Sequence, residues 1–223
     1  MITRIGQYVN IHAHRRAKQK DEWVLTNIMS EDYPPDPDPD AFYSVGLHPW
    51  KLAETDISTA LKTVQISTEN CQVLAIGETG LDKQIEVPMG LQLSVFEVQV
   101  ELAEIIGLPV IVHMVKTAQE LIAFYKTHKP SVPLIIHGFR GSTQLAEDLI
   151  QTGYYLSFGG ALLESEKIKT SFKSLPLDQL FLETDESELG IREIYAAAAQ
   201  IRAMEMQALL GHMGEKTNTL FER

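Results

Sequence analysis

Short apolar runs alternate through this chain with longer stretches of helical periodicity. The runs lie at 7–11 (QYVNI), 23–29 (WVLTNIM), 42–47 (FYSVGL), 72–77 (QVLAIG), 109–113 (PVIVH), 133–137 (PLIIH), 154–158 (YYLSF) and 180–184 (LFLET). Several are unbroken β-branched or aliphatic segments, the pattern of parallel strands covered on both faces. Helical patterns fall between them at about 56–69, 88–106, 116–128, 142–152, 164–173 and 190–211. Ser142 is placed to cap a helix N-terminus, and Gly107 and Gly153 sit just past helix ends, where a left-handed residue is wanted. In the last helix Ile194, Ala198, Ile201 and Ala208 form one stripe. Eight strands with intervening helices predict an α/β chain, a (β/α)8 TIM barrel.

The first third fits that plan with gaps. Only about ten residues separate the first two runs, short for a parallel crossover. The next link, SEDYPPDPDPDA, is too proline-rich for a helix and reads as a stiff surface loop. The barrel is therefore expected to be trimmed of one or two outer helices there. With 223 residues, 1–223 reads as a single domain.

The single cysteine, Cys71, cannot pair within the chain, and the N-terminus shows no apolar leader core. No apolar run nears the roughly 20 residues that span a bilayer. A cytoplasmic protein is expected. The net charge of −11 argues against extended, backbone-gripping duplex binding, which usually needs a basic face. A small site that recruits divalent cations still accepts phosphate, because a bound cation dominates its local field.

Ionisable residues gather near the C-terminal ends of the predicted strands: His12 and His14, His48, Glu78 and Asp82, His113, His137, then Glu183 and Asp185. The other two histidines, His128 and His212, are expected near helix C-termini. On a barrel the strand C-termini form the active face, so residues far apart in sequence converge. His12, His14, Glu78, His113, His137 and Asp185 make four imidazoles and two carboxylates, too many for one tetrahedral catalytic ion. The set suits two divalent ions sharing a carboxylate, which produce a metal-bound hydroxide near neutral pH and stabilise charge on a scissile ester or amide. The metal is zinc, manganese, nickel, iron or magnesium.

The motifs NIHAH, VGLHPW, AIGETGLD, LPVIVHM, IIHGFRGS, YYLSFGG, FLETD and KTNTLF, in that order from residue 10 to 221, resemble those of the TatD-related deoxyribonucleases. These are metal-dependent hydrolases of the amidohydrolase-like barrel group. The resemblance implies a TIM barrel, also with eight strands, and hydrolysis of phosphodiester bonds in DNA. It implies that His12, His14 and Asp185 hold one metal, that His113 and His137 hold another, and that Glu78 bridges the two. It places His48 beside the metals against a substrate phosphate, although a turn histidine before Pro49 has the same sequence. Glu183 reads as a group orienting a ligand or the attacking water, or as a partner for Lys83 or another cation. Asp82 carries the same two readings. Arg140 reads as a phosphate clamp or a solvated loop charge.

Three departures stand out: Asn10 bears on metal affinity, while the segment after Asp185 and the trimmed region 15–41 bear on the walls that select substrate. The family's first motif begins with Asp where this chain has Asn10, which can orient a histidine but brings no charge. After FLETD, the segment ESELGIRE lacks the family's proline-containing loop. The leading expectation is a TatD-like DNase of exonuclease or repair type acting on single-strand ends of DNA. Asp185 or Glu183 would assist deprotonation of the nucleophile, and His48 and Arg140 would contact phosphate. An amidohydrolase, lactonase or small phosphoesterase on the same barrel is the alternative, and a binding protein that has lost its chemistry is a third.

Overall fold

The structure, a computed structural model, describes residues 4–34 and 36–222. Its elements in chain order are β1 (Tyr8–Ala13), β2 (Glu22–Met29), β3 (Phe42–Gly46), α1 (Ile57–Ser67), β4 (Val73–Asp82), α2 (Met89–Ile106), β5 (Val110–Val115) and α3 (Ala118–His128). Then follow β6 (Leu134–Ile136), α4 (Thr143–Thr152), β7 (Tyr155–Phe158), α5 (Ala161–Glu164), α6 (Glu166–Ser174), β8 (Leu180–Leu182), α7 (Ile191–Arg202) and α8 (Met206–Leu220). All eight expected strands are present. Among the described residues no α-helix lies between β1 and β3, and one 3-10 turn, Ser30–Asp32, follows β2. The trimming expected in the first third is there. The proline-rich link contains Pro35, which lies outside the described residues.

The described residues divide into two compact units, one formed by 4–25 with 137–222, the other by 26–34 with 36–136. In the second, β3, β4, β5 and β6 pair in parallel in that order, with Ser44 opposite Ala75, Gly80 opposite His113 and Ile111 opposite Ile135. All ten residues of β4 are buried. The strand extends five residues past the expected end at Gly77, because GETGLD carries no apolar alternation to mark it. Gly80 is required by close approach: a Cβ there would stand 2.1 Å from the His113 carbonyl oxygen.

Helix α2 ties strand ends through two buried glutamines. Gln99 accepts the Leu47 N–H at 2.8 Å and donates to the Leu47 carbonyl at 3.1 Å and to Thr79 Oγ1 at 2.6 Å. Gln92 accepts the Asp82 N–H at 2.7 Å and donates to the Asp82 carbonyl at 3.0 Å. Leu47, Leu52, Ala60 and Val95 form an apolar cluster. Each large aliphatic side chain so buried contributes about 1.5–3 kcal/mol.

In the first unit β7 and β8 pair in parallel, and β1 meets the chain just beyond β8 through a bridge between Ala13 and Asp185. Tyr195 of α7 holds β1: its hydroxyl donates to the Val9 carbonyl and accepts the Val9 N–H, both at 3.1 Å. Complete burial raises the Tyr195 pKa, so the phenol keeps its proton. Ser142 caps α4 by accepting the Leu145 N–H at 3.2 Å. From α8, Asn218 Oδ1 accepts both the backbone N–H and the guanidinium of Arg4 at 3.1 Å. Gly214 lies against Arg4, whose carbonyl oxygen would be 2.5 Å from an added Cβ.

Two expectations fail here. The helix expected over 190–211 is two helices, broken where Ala203 takes a left-handed conformation (φ 50°). Ala208 consequently falls on α8 and is exposed, outside the Ile194–Ala198 stripe. His212 lies mid-way along α8, where it faces Asp178 at 3.3 Å, and not at a helix end. His128 does end α3, and its bond to Glu97 at 2.6 Å raises its basicity.

Candidate functional site

The N- and C-terminal unit brings five of the expected residues together. Asp185 has a positive φ of 53°, a conformation aspartate tolerates better than most residues. Its N–H donates to the His12 carbonyl at 3.0 Å, and its carbonyl accepts the His14 N–H at 3.4 Å. This backbone pairing sets the carboxylate between two imidazoles: Oδ1 is 3.5 Å from His12 Nε2 and 3.5 Å from His14 Nε2. Burial opposes its charge, but hydrogen bonding from His12 and His14 and the charge of His12 and His137 outweigh it. The carboxyl is held well below the usual carboxylate range. The His12 and His137 rings lie 4.2 Å apart.

Glu183 is fully buried one residue beyond β8. Its Oε1 accepts the Gly138 N–H at 2.7 Å and lies 3.6 Å from His137 Nδ1. It is thus the neighbour of an imidazole, while Lys83 pairs with Glu120. Asn10 does not reach a histidine. Its amide donates to Thr184 Oγ1 at 2.8 Å, and its Oδ1 accepts the Thr184 N–H at 3.0 Å. The asparagine therefore fixes the backbone between Glu183 and Asp185. Beside Asp185 a small cleft of about 40 Å³ is lined by Arg15, Arg16, Lys18 and Thr184, among others. Arg15 also meets Glu188 through both guanidinium nitrogens.

The unit formed by 26–136 holds the rest. His48 is buried and its Nδ1 accepts the Trp50 N–H at 3.2 Å, which leaves Nε2 to carry the proton of the neutral ring. That nitrogen lies 3.1 Å from Glu78 Oε1, and His113 Nδ1 lies 2.7 Å from the same oxygen. His48 caps the turn at Pro49 and also touches Glu78, a candidate metal ligand. Asp82 Oδ2 lies 3.4 Å from His113 Nε2 and accepts the Trp50 indole N–H at 2.7 Å. Burial works against its charge, but donors from Trp50, the Gln84 amide and His113 keep the carboxyl below its ordinary range. Arg140 is exposed and joins neither group of side chains.

Three sets confined to one unit or the other have ligand atoms within 4.8 Å of one another: His12, His14 and Asp185; His137, Glu183 and Asp185; and His48, Glu78 and His113. Imidazole nitrogens and carboxylate oxygens crowded in this way are a donor set that borderline divalent ions accept. Two participants had no role assigned from the sequence: Asn27, which lies in no motif, and Trp50, which closes the VGLHPW motif. Asn27 Oδ1 accepts the Glu78 N–H at 2.7 Å and the Ser44 hydroxyl at 3.2 Å, and Trp50 holds Asp82.

The family model of the TatD related DNases matches residues 29–222. The chain belongs to this family. Among its TatD relatives is the uncharacterized metal-dependent hydrolase YjjV of Escherichia coli (strain K12). It is 27% identical over 222 residues, covering 92% of this chain and 84% of that protein. A 3'-5' ssDNA/RNA exonuclease TatD of Erwinia billingiae is 29% identical over 157 residues, covering 68% of this chain and 59% of that one. For three further curated relatives the match spans between 58% and 61% of their length. The crystal structure of the Escherichia coli YjjV TatD homolog superposes with a TM-score of 0.81 at 24% identity, covering 98% of this chain and 99% of that one. That likeness shows the fold, a (β/α)8 barrel. As a TatD protein the chain is a member of a metal-dependent hydrolase family.

Proposed function

We propose that this protein is a metal-dependent phosphodiesterase, one hydrolase domain spanning 1–223, that removes nucleotides from single-strand ends of DNA. The observation that carries the reading is Asp185, a carboxylate set by backbone pairing between His12 and His14. Family membership and a relative named for 3'-5' exonuclease activity on single strands support it.

In this reading two divalent ions are held by the set that the resemblance implies: His12, His14, Asp185, Glu78, His113 and His137. Bound divalent ions acidify water and neutralise charge on a phosphate. The chain's own groups do the rest. Asp185 or Glu183 accepts the proton of the attacking water. Glu183, anchored by the Gly138 N–H, orients His137. His48 holds Glu78 in place, and its burial gives it that positioning task over phosphate contact. Arg15, Arg16 and Lys18 line the cleft beside Asp185 and offer phosphate contacts, with exposed Arg140 a further candidate. A cytoplasmic location fits the exposed, unpaired Cys71 thiol.

The test is mononucleotide release from end-labelled single-stranded DNA across a panel of divalent ions. The expected result is metal-dependent release that falls about 100-fold or more in Asp185→Asn. A metal-loaded wild type that releases nothing would move the substrate to small phosphoesters, lactones or amides.

A further inference from the structure

Trp50 combines two properties that rarely coincide: it is fixed, and it is 54% exposed. Its backbone N–H donates to His48 Nδ1, and its indole N–H donates to Asp82 Oδ2 at 2.7 Å. Its ring stands edge-to-face against His48, with centroids 4.8 Å apart and planes at 81°. It stands the same way against His113, at 5.7 Å and 78°. With these contacts made, about half of the residue stays open to solvent. A tryptophan serving only to pack would be buried, since its apolar area is the largest of any residue. One held in a single orientation beside the His48–Glu78–His113 group, with surface open to solvent, has already lost the rotamer freedom that ligand binding otherwise costs.

We propose that the exposed indole of Trp50 is the stacking platform for the terminal base of a single-stranded nucleic acid. This rests on the nucleic-acid reading of the site. An indole face stacks on any base, so the inferred specificity is for a strand end that carries a base, with little regard to sequence. Asp82 positions the platform by fixing the indole nitrogen.

The test compares oligonucleotides ending in an ordinary nucleotide with the same strands ending in an abasic tetrahydrofuran residue, cleaved by wild type, Trp50→Ala and Trp50→Phe. Base–aromatic stacking predicts that the wild type prefers the base-bearing end by about 10-fold in kcat/KM, expressed in KM. In the alanine variant that preference falls towards unity. In the phenylalanine variant, which keeps a π-face and loses the N–H, most of it survives. A second readout needs no turnover: in Asp185→Asn, indole fluorescence is quenched by the base-ended strand more than by the abasic one, and adding Trp50→Phe abolishes the difference. A preference that persists in Trp50→Ala, or that phenylalanine loses as fully as alanine, overturns the inference and leaves the phosphodiesterase reading intact. A metal-loaded wild type that cleaves neither strand overturns both.

Discussion

Asn10 makes a two-point contact with Thr184, 174 residues away, accepting its N–H and donating to its hydroxyl. Nothing in the local sequence announces that partner, and Asn10 reads as a neighbour of His12 until the fold supplies Thr184. Asn10→Ala leaves the partly buried Thr184 N–H without its acceptor. The expected cost is about 1–3 kcal/mol in a urea titration, and metal affinity should fall as well, because Thr184 adjoins Asp185. An unchanged urea midpoint would remove Asn10 from this role. The histidines and carboxylates, by contrast, were legible at once. Their residue types are rare at strand ends, and their chemistry does not depend on knowing who faces whom. What the residue pattern left open was pairing: Glu183 with the Gly138 N–H and not Lys83, His48 with Glu78, and Arg15, Arg16 and Lys18 beside Asp185.

At the scale of elements the apolar runs located all eight strands, since parallel strands buried on both faces must be apolar throughout. They misplaced the end of β4 and merged α7 with α8. The break at Ala203 has no glycine or proline to signal it; the left-handed alanine closes α7 through backbone bonds to the Ala199 and Gln200 carbonyls. Buried polar side chains escaped for a related reason. Gln99 reads as a solvated helix position, yet its amide closes the loop that carries His48. Gln99→Met should cost about 1–3 kcal/mol by stranding the Leu47 N–H and carbonyl. It should also lower kcat/KM more than a surface control such as Gln144→Met, because His48 follows Leu47 directly.

Lys216 of α8 sets a pH dependence of the same element. Its amine donates to the carbonyls of Leu177 and Leu180. Burial lowers its pKa from 10.5 to about 7, with Asp178 opposing that shift and Arg202 adding to it. Below about pH 7 folded and unfolded chains are both protonated, and the penalty of burying the charge is fully present. Between about 7 and 10.5 the unfolded chain binds the extra proton, so stability from this group rises with pH across that window. Lys216→Met should flatten that rise when urea midpoints are compared at pH 7, 8.5 and 10. A slope equal to the wild type's would exclude Lys216 as its source.

At the scale of the chain, one unit is built from both ends of the sequence, with Arg4 clasped to Asn218 and packed on Gly214. Gly214→Ala pushes a methyl group into the Arg4 backbone. It should destabilise by about 1–3 kcal/mol, read as a lower urea midpoint with an unchanged slope. Serine should behave like alanine, and substitution at exposed Gly90, which meets nothing, should not. The same arrangement sets a schedule. At roughly 5–20 residues per second, the 174 residues between Asn10 and Thr184 take on the order of ten to thirty-five seconds to emerge from a ribosome. For that interval β1 exists without the chain that follows β8. A growing polypeptide therefore carries His12 and His14 through that interval with no Asp185 to pair them.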